Sequence, residues 1–360
     1  MCRRATSMVL ARRTSERMGR VLHSDGVTTP AVQQVTEALS ALVFLRIQQG
    51  LRSGRHGRGP TLHPVSRIAR VVIVFNPQSS GDGEQLAREL QEQVHRARPE
   101  LPVELAATEH AGHGRELAAQ HVAGATPDQV VLIVSASGDG GFHDVVNGVL
   151  DAGGAAAGAA AAVLPAGNAN DHRRTTARRP LDEAIAADDL SHLDLLTLQR
   201  SDGETVHAHS YIGVGVTAAV AVGLEEGGGK GSIGEVLTTL RVLRKMVPVV
   251  LERDGRRRSY DAIVASTVSG MAKFVTLDPD AAPDDGRFEV TELGHLRPWQ
   301  YPGVLVRAVT GKLPGRQGMT SYAFRTTATT PVQLDGEVRE LGAGVDVTVA
   351  IAPGALLTVR

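Results

Sequence analysis

The stretch that decides the fold is residues 130–148, VVLIVSASGDGGFHDVVNG. It opens with an apolar, mostly β-branched run whose length and composition are those of a fully buried strand. The glycines at 138, 140 and 141 follow this run, and a helical pattern begins at residue 141. Glycine lets the backbone approach a phosphate closely, and the first N–H groups of a helix attract anions. The stretch therefore predicts a strand, a phosphate-binding loop and a helix.

The same arrangement recurs on both sides of this stretch. Apolar runs at residues 71–75 and 160–164 end in the turns Asn76-Pro77 and Pro165-Ala166-Gly167. Further predicted elements are a helix after Gly81, a strand over residues 103–107, and helices over residues 115–123 and 141–150. Strands that alternate with helices and are apolar throughout indicate a parallel α/β sheet covered on both faces. Ligands bind outside the carboxyl ends of such strands, so we expect the three loops to form a nucleotide pocket.

After about Asp194 the pattern changes to many short strands with one helix, which indicates an antiparallel β domain. The predicted helix covers residues 233–247, and the predicted strands cover residues 207–222, 260–268, 288–293, 322–327, 331–334 and 344–351. The chain is therefore predicted as α/β followed by all-β. We divide it into a basic extension (1–69), an α/β nucleotide-binding domain (70–194) and a β domain (195–360).

Composition restricts the function classes. The net charge is −1 and the pI about 6.9, which gives no reason to expect nucleic-acid binding. A single cysteine, Cys2, excludes a disulfide framework and a cysteine-based zinc site. The sequence shows neither a long apolar span nor the apolar core of a secretory signal. We therefore expect a cytoplasmic, soluble protein.

Residues 1–70 differ from the rest of the chain, with 12 Arg against three acidic residues. We interpret residues 1–69 as a disordered extension. The alternative is a basic arm that contacts anionic lipid at a membrane surface, because clustered cations are attracted to such lipids.

Asp139 is the most informative single residue, because it lies inside the glycine loop. A carboxylate beside a phosphate-binding loop is typical of Mg²⁺ binding or of general-base chemistry. By contrast, the histidine pairs lack a third ligand at metal-binding spacing and are interpreted as ordinary surface residues. These histidines are His110, His113, His121, His207 and His209.

The loops, in this order, resemble those of the diacylglycerol kinase catalytic-domain superfamily, which includes bacterial lipid kinases and sphingosine kinases. The family patterns are an Asn-Pro…Ser-Gly turn, a G-G-D-G-T loop followed by Asn-Glu-Val…Asn-Gly, and a P-x-G-T-x-N-D loop. The matching segments are Asn76-Pro77 with Gly81, Ser137-Gly138-Asp139-Gly140 with Val146-Asn147-Gly148, and Pro165-Ala166-Gly167 with Asn170-Asp171. The resemblance continues through Asp284-Asp285-Gly286 to Asp335-Gly336-Glu337, so it covers about residues 70–360.

The resemblance implies a Rossmann-like nucleotide domain similar to those of NAD kinase and phosphofructokinase, followed by a β-sandwich lipid-substrate domain. It also implies transfer of the γ-phosphoryl group of ATP, with Mg²⁺, to the hydroxyl of a lipid alcohol such as diacylglycerol. The implied partners are ATP, the lipid and, transiently, the inner membrane surface. Nucleic acid is not expected, and a homodimer stays open.

Residue roles follow from the same resemblance. Asp139, Asp335 and Glu337 are the implied catalytic residues, and Asp284 and Asp285 match a family loop associated with a second, structural Mg²⁺. The implied nucleotide-binding residues are Asn76, Pro77, Ser80, Gly81, Ser137, Gly138, Gly140, Gly141, Asp144, Pro165, Gly167 and Asn170.

Three departures from the family pattern leave alternatives open. Gly141 replaces the family Thr, Asp144 replaces a Glu, and Thr217 stands where an Asp is common. They leave open a weakened or inactive homologue that only binds nucleotide or lipid. Two further alternatives are a sphingosine-type kinase, because the S-G-D-G form with His143 is closer to that branch, and a NAD kinase, which has a related glycine loop.

Overall fold

The computed structural model describes residues 67–78, 82–215, 247–271 and 275–360. Apart from Val247, the predicted helix over residues 233–247 lies outside these ranges. The site candidates Ser80 and Gly81 also lie outside them. Within them, no helix combines the length and the apolar character needed to cross a membrane.

The first sheet consists of four parallel strands in the order β2-β1-β3-β4. Its strands are β1 (Arg67–Phe75), β2 (Val103–Ala107), β3 (Gln129–Ser137) and β4 (Ala159–Pro165). Its helices are α1 (Gly83–Ala97), α2 (His113–His121), α3 (Asp139–Asp151), α4 (Asp171–Thr176) and α5 (Leu181–Ala186). From β1 the chain continues to β2 on one side of the sheet, and from β3 it continues to β4 on the other side. Where the strand order changes direction in this way, a crevice opens at the carboxyl ends of the two central strands.

Both faces of this sheet are buried, as the unbroken apolar strands predicted. Val71 and Ile73 of β1 pack with α1 and α5 on one face. Val72 and Val74 pack with α2 and α3 on the other, where Phe142 of α3 is fully buried. Alternate residues of a strand point to opposite faces, so a run of apolar residues fills two cores at once.

The second sheet contains the remaining long strands and is antiparallel. Its elements, with a small β10–β11 hairpin and one helix, are β5 (Leu190–Arg200), β6 (Thr205–Ala208), β7 (Tyr211–Gly215), β8 (Val249–Arg253), β9 (Arg256–Ser266), β10 (Gly270–Met271), β11 (Val275–Thr276), β12 (Phe288–Gly294), α6 (Tyr301–Thr310), β13 (Gly315–Met319), β14 (Ser321–Thr326), β15 (Thr330–Leu334), β16 (Glu337–Leu341) and β17 (Asp346–Val359). Of the described strands, eleven form this sheet, and it curls around one apolar core. The predicted strand over residues 207–222 is interrupted between β6 and β7, and its part after Gly215, which includes Thr217, lies outside the described residues. The predicted fold class, a parallel α/β domain followed by an antiparallel β domain, is confirmed.

The two sheets share the pair β5–β17. Ile351 pairs with Leu196 near the middle of the pair, and Leu356 pairs with Leu193 beyond a bulge. Leu193 and Leu356 pack into the core between the first sheet and α2–α3, whereas Leu196 packs inside the second sheet. The predicted boundary between residues 194 and 195 thus falls inside β5.

Candidate active site

Three loops meet at the carboxyl edge of the first sheet. Strand register places Phe75 beside Ala136 and Ser137 beside Pro165, so the loops after β1, β3 and β4 are neighbours. Asn76 accepts a hydrogen bond at Oδ1 from the backbone N–H of Gln78 (2.8 Å), which folds the chain into a local turn. Asn76 and Pro77 are exposed.

The loops after β3 and β4 touch through their backbones. A Cβ built at Gly167 would stand 2.3 Å from the Cα of Gly138. Asn170 closes the second loop, because its side chain accepts from the N–H of Gly167 (3.0 Å) and donates to the Gly167 carbonyl (2.7 Å). Only glycine permits this approach, so Gly138 and Gly167 shape the cleft rather than merely allowing a turn.

Ser137 explains the glycine at position 141. A Cβ at Gly141 would stand 2.6 Å from Ser137 Oγ, so the serine fills the space that a side chain at 141 would need. The Ser137 hydroxyl lies 2.7 Å from that of Ser135 and donates to the Gly138 carbonyl (3.0 Å). The loop therefore keeps a hydroxyl in this place, although it belongs to Ser137 and not to a threonine at position 141.

Asp139 is the first residue of α3 and joins two helix N-termini. Its carboxylate accepts from the backbone N–H groups of Asp171 (3.2 Å) and His172 (3.3 Å), the first residues of α4. Acceptance by a carboxylate at a helix start is electrostatically favourable. Asp139 is half-buried.

The Asp335-Gly336 turn brings the second sheet to this loop. Asp335 (φ 52°) and Gly336 (φ 113°) link β15 and β16 as a two-residue hairpin turn with positive φ at both positions. Glu337 follows, and its Oε1 lies 2.6 Å from the position of a Cβ at Gly140. An exposed carboxylate of the β domain thus lies against the N-terminus of α3, where the positive end of the helix dipole favours negative charge.

Asp335 itself is fully buried and lies beneath the cleft. Its carboxylate accepts from His143 Nδ1 (3.0 Å) and from the backbone N–H groups of His209 (2.8 Å), Ser210 (2.8 Å) and Tyr211 (3.1 Å). Burial acts to raise the pKa of the Asp335 carboxyl, but His209, His143 and the backbone donors outweigh it and hold the pKa at about 2. With four donors around it, this carboxylate has no free face for a substrate hydroxyl. The expectation that Asp335 is a catalytic residue does not fit this geometry.

A cluster of buried aromatic rings underlies the glycine loop. The Phe142 ring lies 5.0 Å from that of His172 and 4.7 Å from that of His209, and the two histidine rings are 4.7 Å apart. His209 Nε2 lies 3.1 Å from the Asp139 carbonyl, and His172 Nδ1 lies 3.2 Å from the His209 carbonyl. Burial, with the charge of His209, lowers the pKa of His172 well below its usual range. The interpretation of His209 as an ordinary surface residue is wrong, because it is 1% exposed.

The helix α3 is bound to the β domain by Asn147. Its side chain donates to the His207 carbonyl (3.0 Å) and accepts from the His207 N–H (3.2 Å), in the manner of a neighbouring strand. Asp144, predicted to bind nucleotide, faces α2 instead, with its Cβ 3.6 Å from the position of a Cβ at Gly114. Burial raises the pKa of Asp144, against the smaller lowering effects of neighbouring cations.

The predicted structural metal site at Asp284 and Asp285 does not fit the geometry. Asp284 Oδ2 pairs with Arg360 (2.7 Å) and lies 3.5 Å from Arg178, so two guanidinium groups neutralise it. Asp285 accepts from the Arg287 N–H (3.0 Å). A metal ion would have to displace these partners.

One group with metal-ligand chemistry lies elsewhere among the described residues. Ligand atoms of His110, His113 and Glu116 lie within 4.8 Å of one another. However, His113 Nδ1 accepts from the Glu109 N–H (3.0 Å), so in the neutral ring Nε2 carries the proton and has no lone pair for a metal. Sequence reasoning missed Glu116 as the third member, although its spacing from His113 was visible.

Comparison with known proteins agrees with the loop geometry. Residues 70–198 match the family model for the diacylglycerol kinase catalytic domain. Residues 70–198 are therefore similar to this catalytic domain. The match indicates a kinase-type domain over this part of the chain.

Solved structures extend the likeness beyond this catalytic domain. A diacylglycerol kinase from Bacillus anthracis str. Sterne has 16% sequence identity and a TM-score of 0.60, with 81% of this chain and 97% of that chain covered. Another structure from the same organism gives 15% identity and a TM-score of 0.62, with 82% of this chain and 98% of that chain covered. At this identity the likeness shows the shared fold. No curated protein matches the sequence.

Proposed function

We propose that the protein is an ATP-dependent lipid kinase that transfers the γ-phosphoryl group to the hydroxyl of a lipid alcohol such as diacylglycerol. The observation that carries this proposal is the contact between Glu337 and Gly140, a glycine-loop residue within the matched residues 70–198. It places a carboxylate of the β domain at the glycine loop of the α/β domain. The cleft between them can hold a phosphate on one side and an acceptor hydroxyl on the other.

The donor set fits a magnesium ion bound together with ATP. Mg²⁺ prefers oxygen ligands and is usually held by one or two carboxylates and the phosphates of the substrate. Asp139 and Glu337 are the two carboxylates that could hold it here. When bound, the ion would neutralise the charge on the phosphates and thereby favour phosphoryl transfer.

The protein's own groups supply positioning. The N–H groups at the start of α3 and the close backbones at Gly138 and Gly167 form a site for phosphate oxygens. Glu337 is the exposed carboxylate that can accept the proton of the acceptor hydroxyl. Asp335 fixes the turn that carries Glu337 and is a positioning residue.

The test is a transfer assay with radiolabelled ATP and a panel of lipid alcohols that includes diacylglycerol and sphingosine. We expect labelled lipid with the wild type and a loss of at least about 100-fold with Glu337→Gln or Asp139→Asn, the scale for removing a positioned catalytic charge. Glu340→Gln, an exposed carboxylate on the same strand, is the matched control and should leave the rate unchanged.

The same transfer assay with NAD as acceptor, together with thermal unfolding in the presence of MgATP, separates the alternatives. Stabilisation of the protein by MgATP without transfer to any lipid would contradict the proposal and indicate a nucleotide-binding homologue. Transfer to NAD instead of a lipid would indicate a NAD kinase.

A further inference from the structure

The short segment around α6 exposes the one tryptophan of the chain. Trp299 is 69% exposed and lies in a 3₁₀ turn, Pro298–Gln300, directly before α6. The Arg297 guanidinium lies 5.1 Å from the centre of its ring. Seven residues further along the chain, Val306 is 37% exposed. Tryptophan is enriched where protein meets the lipid headgroups, because its ring has an apolar body and a polar N–H.

The charge of this segment is one-sided. Residues 295–317 contain three arginines, one lysine and one histidine but no Asp or Glu, in a chain whose net charge is −1. Arg297, Arg307 and Lys312 are exposed, and no carboxylate of the described residues forms an ion pair with them. Arg316 is the exception, since it lies 3.0 Å from Glu292.

The segment is held in place from below. The buried carboxylate of Asp261 accepts from the Tyr301 hydroxyl (3.1 Å) and from the Leu296 N–H (2.8 Å), and it lies 2.9 Å from His295 Nδ1. Ala308 is buried on the inner side of α6. These contacts fix the backbone on both sides of Trp299, so its exposed position belongs to the folded structure.

The same segment lies near the candidate active site. The helix α6 packs against β11, which pairs with β10, and β10 in turn contacts α4. A Cβ at Gly270 of β10 would stand 3.6 Å from Arg174 Nη2 of α4. The start of α4 is the element that Asp139 caps. Two short strands thus connect α6 with the helix whose N-terminus Asp139 contacts.

We propose that Arg297, Trp299, Val306, Arg307 and Lys312, here called the α6 surface, dock the protein on an anionic lipid bilayer. The three cations approach the acidic headgroups, and Trp299 enters the interface between headgroups and acyl chains. The proposal rests on the proposed function, because a kinase that acts on a lipid alcohol meets its substrate at a bilayer.

The position of Trp299 provides a direct experiment on the full chain. Vesicles of phosphatidylcholine with phosphatidylglycerol, or of phosphatidylcholine alone, are added while tryptophan emission and co-sedimentation are measured. We expect the emission maximum to move to shorter wavelength, and the protein to sediment, with the anionic vesicles. The double variant Arg307→Glu/Lys312→Glu should bind at least about 25-fold more weakly, about fivefold for each cation. Arg96→Glu, an exposed arginine on α1, is the matched control and should bind like the wild type.

Several outcomes would overturn the proposal. Sedimentation with unchanged emission would show that another part of the chain, such as the basic residues before 70, contacts the lipid. A wavelength shift that depends on protein concentration without vesicles would indicate contact between two copies. Undiminished vesicle binding by the double variant, with a wild-type melting temperature, would also exclude the α6 surface. Binding is measured without phosphoryl transfer, so failure of docking is distinguishable from failure of the kinase assignment.

Discussion

Asp335 and Glu337 are two residues apart and yet differ in every property that decides a carboxylate's role. Asp335 is fully buried with four donors, whereas Glu337 is exposed beside the glycine loop. A buried carboxylate whose partners are fixed stabilises a structure, because removing it leaves several donors unsatisfied. The motif therefore combines one residue that holds the turn with one that can act in the cleft.

We expect Asp335→Asn to destabilise the protein by about 2–4 kcal/mol, since an amide offers one acceptor oxygen and turns an NH₂ group towards N–H donors. Thermal unfolding should show a melting temperature lower by roughly 5–10 °C. Glu337→Gln serves as the comparison and should melt within about 2 °C of the wild type. Equal melting temperatures for the two variants would contradict the division of roles.

The buried ring of His172 predicts how stability depends on pH. The pKa of His172 in the folded protein lies well below the 6.5 of the unfolded chain, mainly because of burial. Below about pH 6.5 the unfolded chain therefore binds more protons, so the free energy of unfolding is highest above that pH and falls as the pH decreases. The pKa of Asp335 is about 2 in the folded protein, against an ordinary value of 3.8. Asp335 therefore lowers the free energy of unfolding further only when the pH falls to 3.8 and below.

Chemical denaturation at pH 7.5 and 5.5 measures this effect. His172→Gln removes the titrating ring, so its free energy of unfolding should change less between the two pH values than that of the wild type. An identical change in both proteins would show that His172 does not contribute.

At the scale of elements, the sequence predicted the first sheet well because β1, β3 and β4 each contain an unbroken apolar run. The observed β2 has the predicted bounds, and β3 extends the predicted run to Gln129–Ser137. The strand β5 was not predicted, because it changes from one core to the other and its apolar residues follow no single period. The strands β10 and β11 have two residues each, which is too short for any pattern.

The sequence predicted only those parts of the candidate site whose residues lie close together in one segment of the chain. The glycine loop and Asp139 were visible as a strand–loop–helix pattern. The burial of Asp335 was not, since its backbone donors lie about 125 residues earlier in the chain. His209 was missed for the same reason, because nothing near it in the sequence indicates that it packs beneath Asp139.

The packing of α2 on α3 depends on one glycine. A Cβ at Gly148 would stand 2.2 Å from the Arg115 carbonyl oxygen and 2.9 Å from the Ala118 Cβ, so the two helices would have to separate. We expect Gly148→Ala to cost about 1–3 kcal/mol, the usual range for overpacking. The control is Gly114→Ala on the facing helix, where the new Cβ would find Asp144 at 3.6 Å, an ordinary contact. It should be neutral or stabilise by up to about 1 kcal/mol. Equal unfolding midpoints in urea would contradict this account.

At the scale of the whole molecule, the two sheets are joined too closely to unfold independently. The pair β5–β17 supplies side chains to both apolar cores, and the side chains of Asn147 and Asp335 bond the backbone of the segment around residues 207–211. The Glu337 contact with the glycine loop depends on the same connection. A cleft built from two domains keeps its geometry only if the domains move and unfold together.

Two substitutions towards opposite ends of β17, Leu356→Ala and Val347→Ala, test this coupling. Leu356 is fully buried in the α/β core and Val347 is 1% exposed in the β core. Leu356→Ala should cost about 2–5 kcal/mol and Val347→Ala somewhat less, because fewer methyl groups are removed. If the molecule unfolds as one unit, each variant lowers the temperature of the same single calorimetric transition. Two transitions, one lowered by Leu356→Ala and the other by Val347→Ala, would show instead that β17 joins two domains that unfold separately.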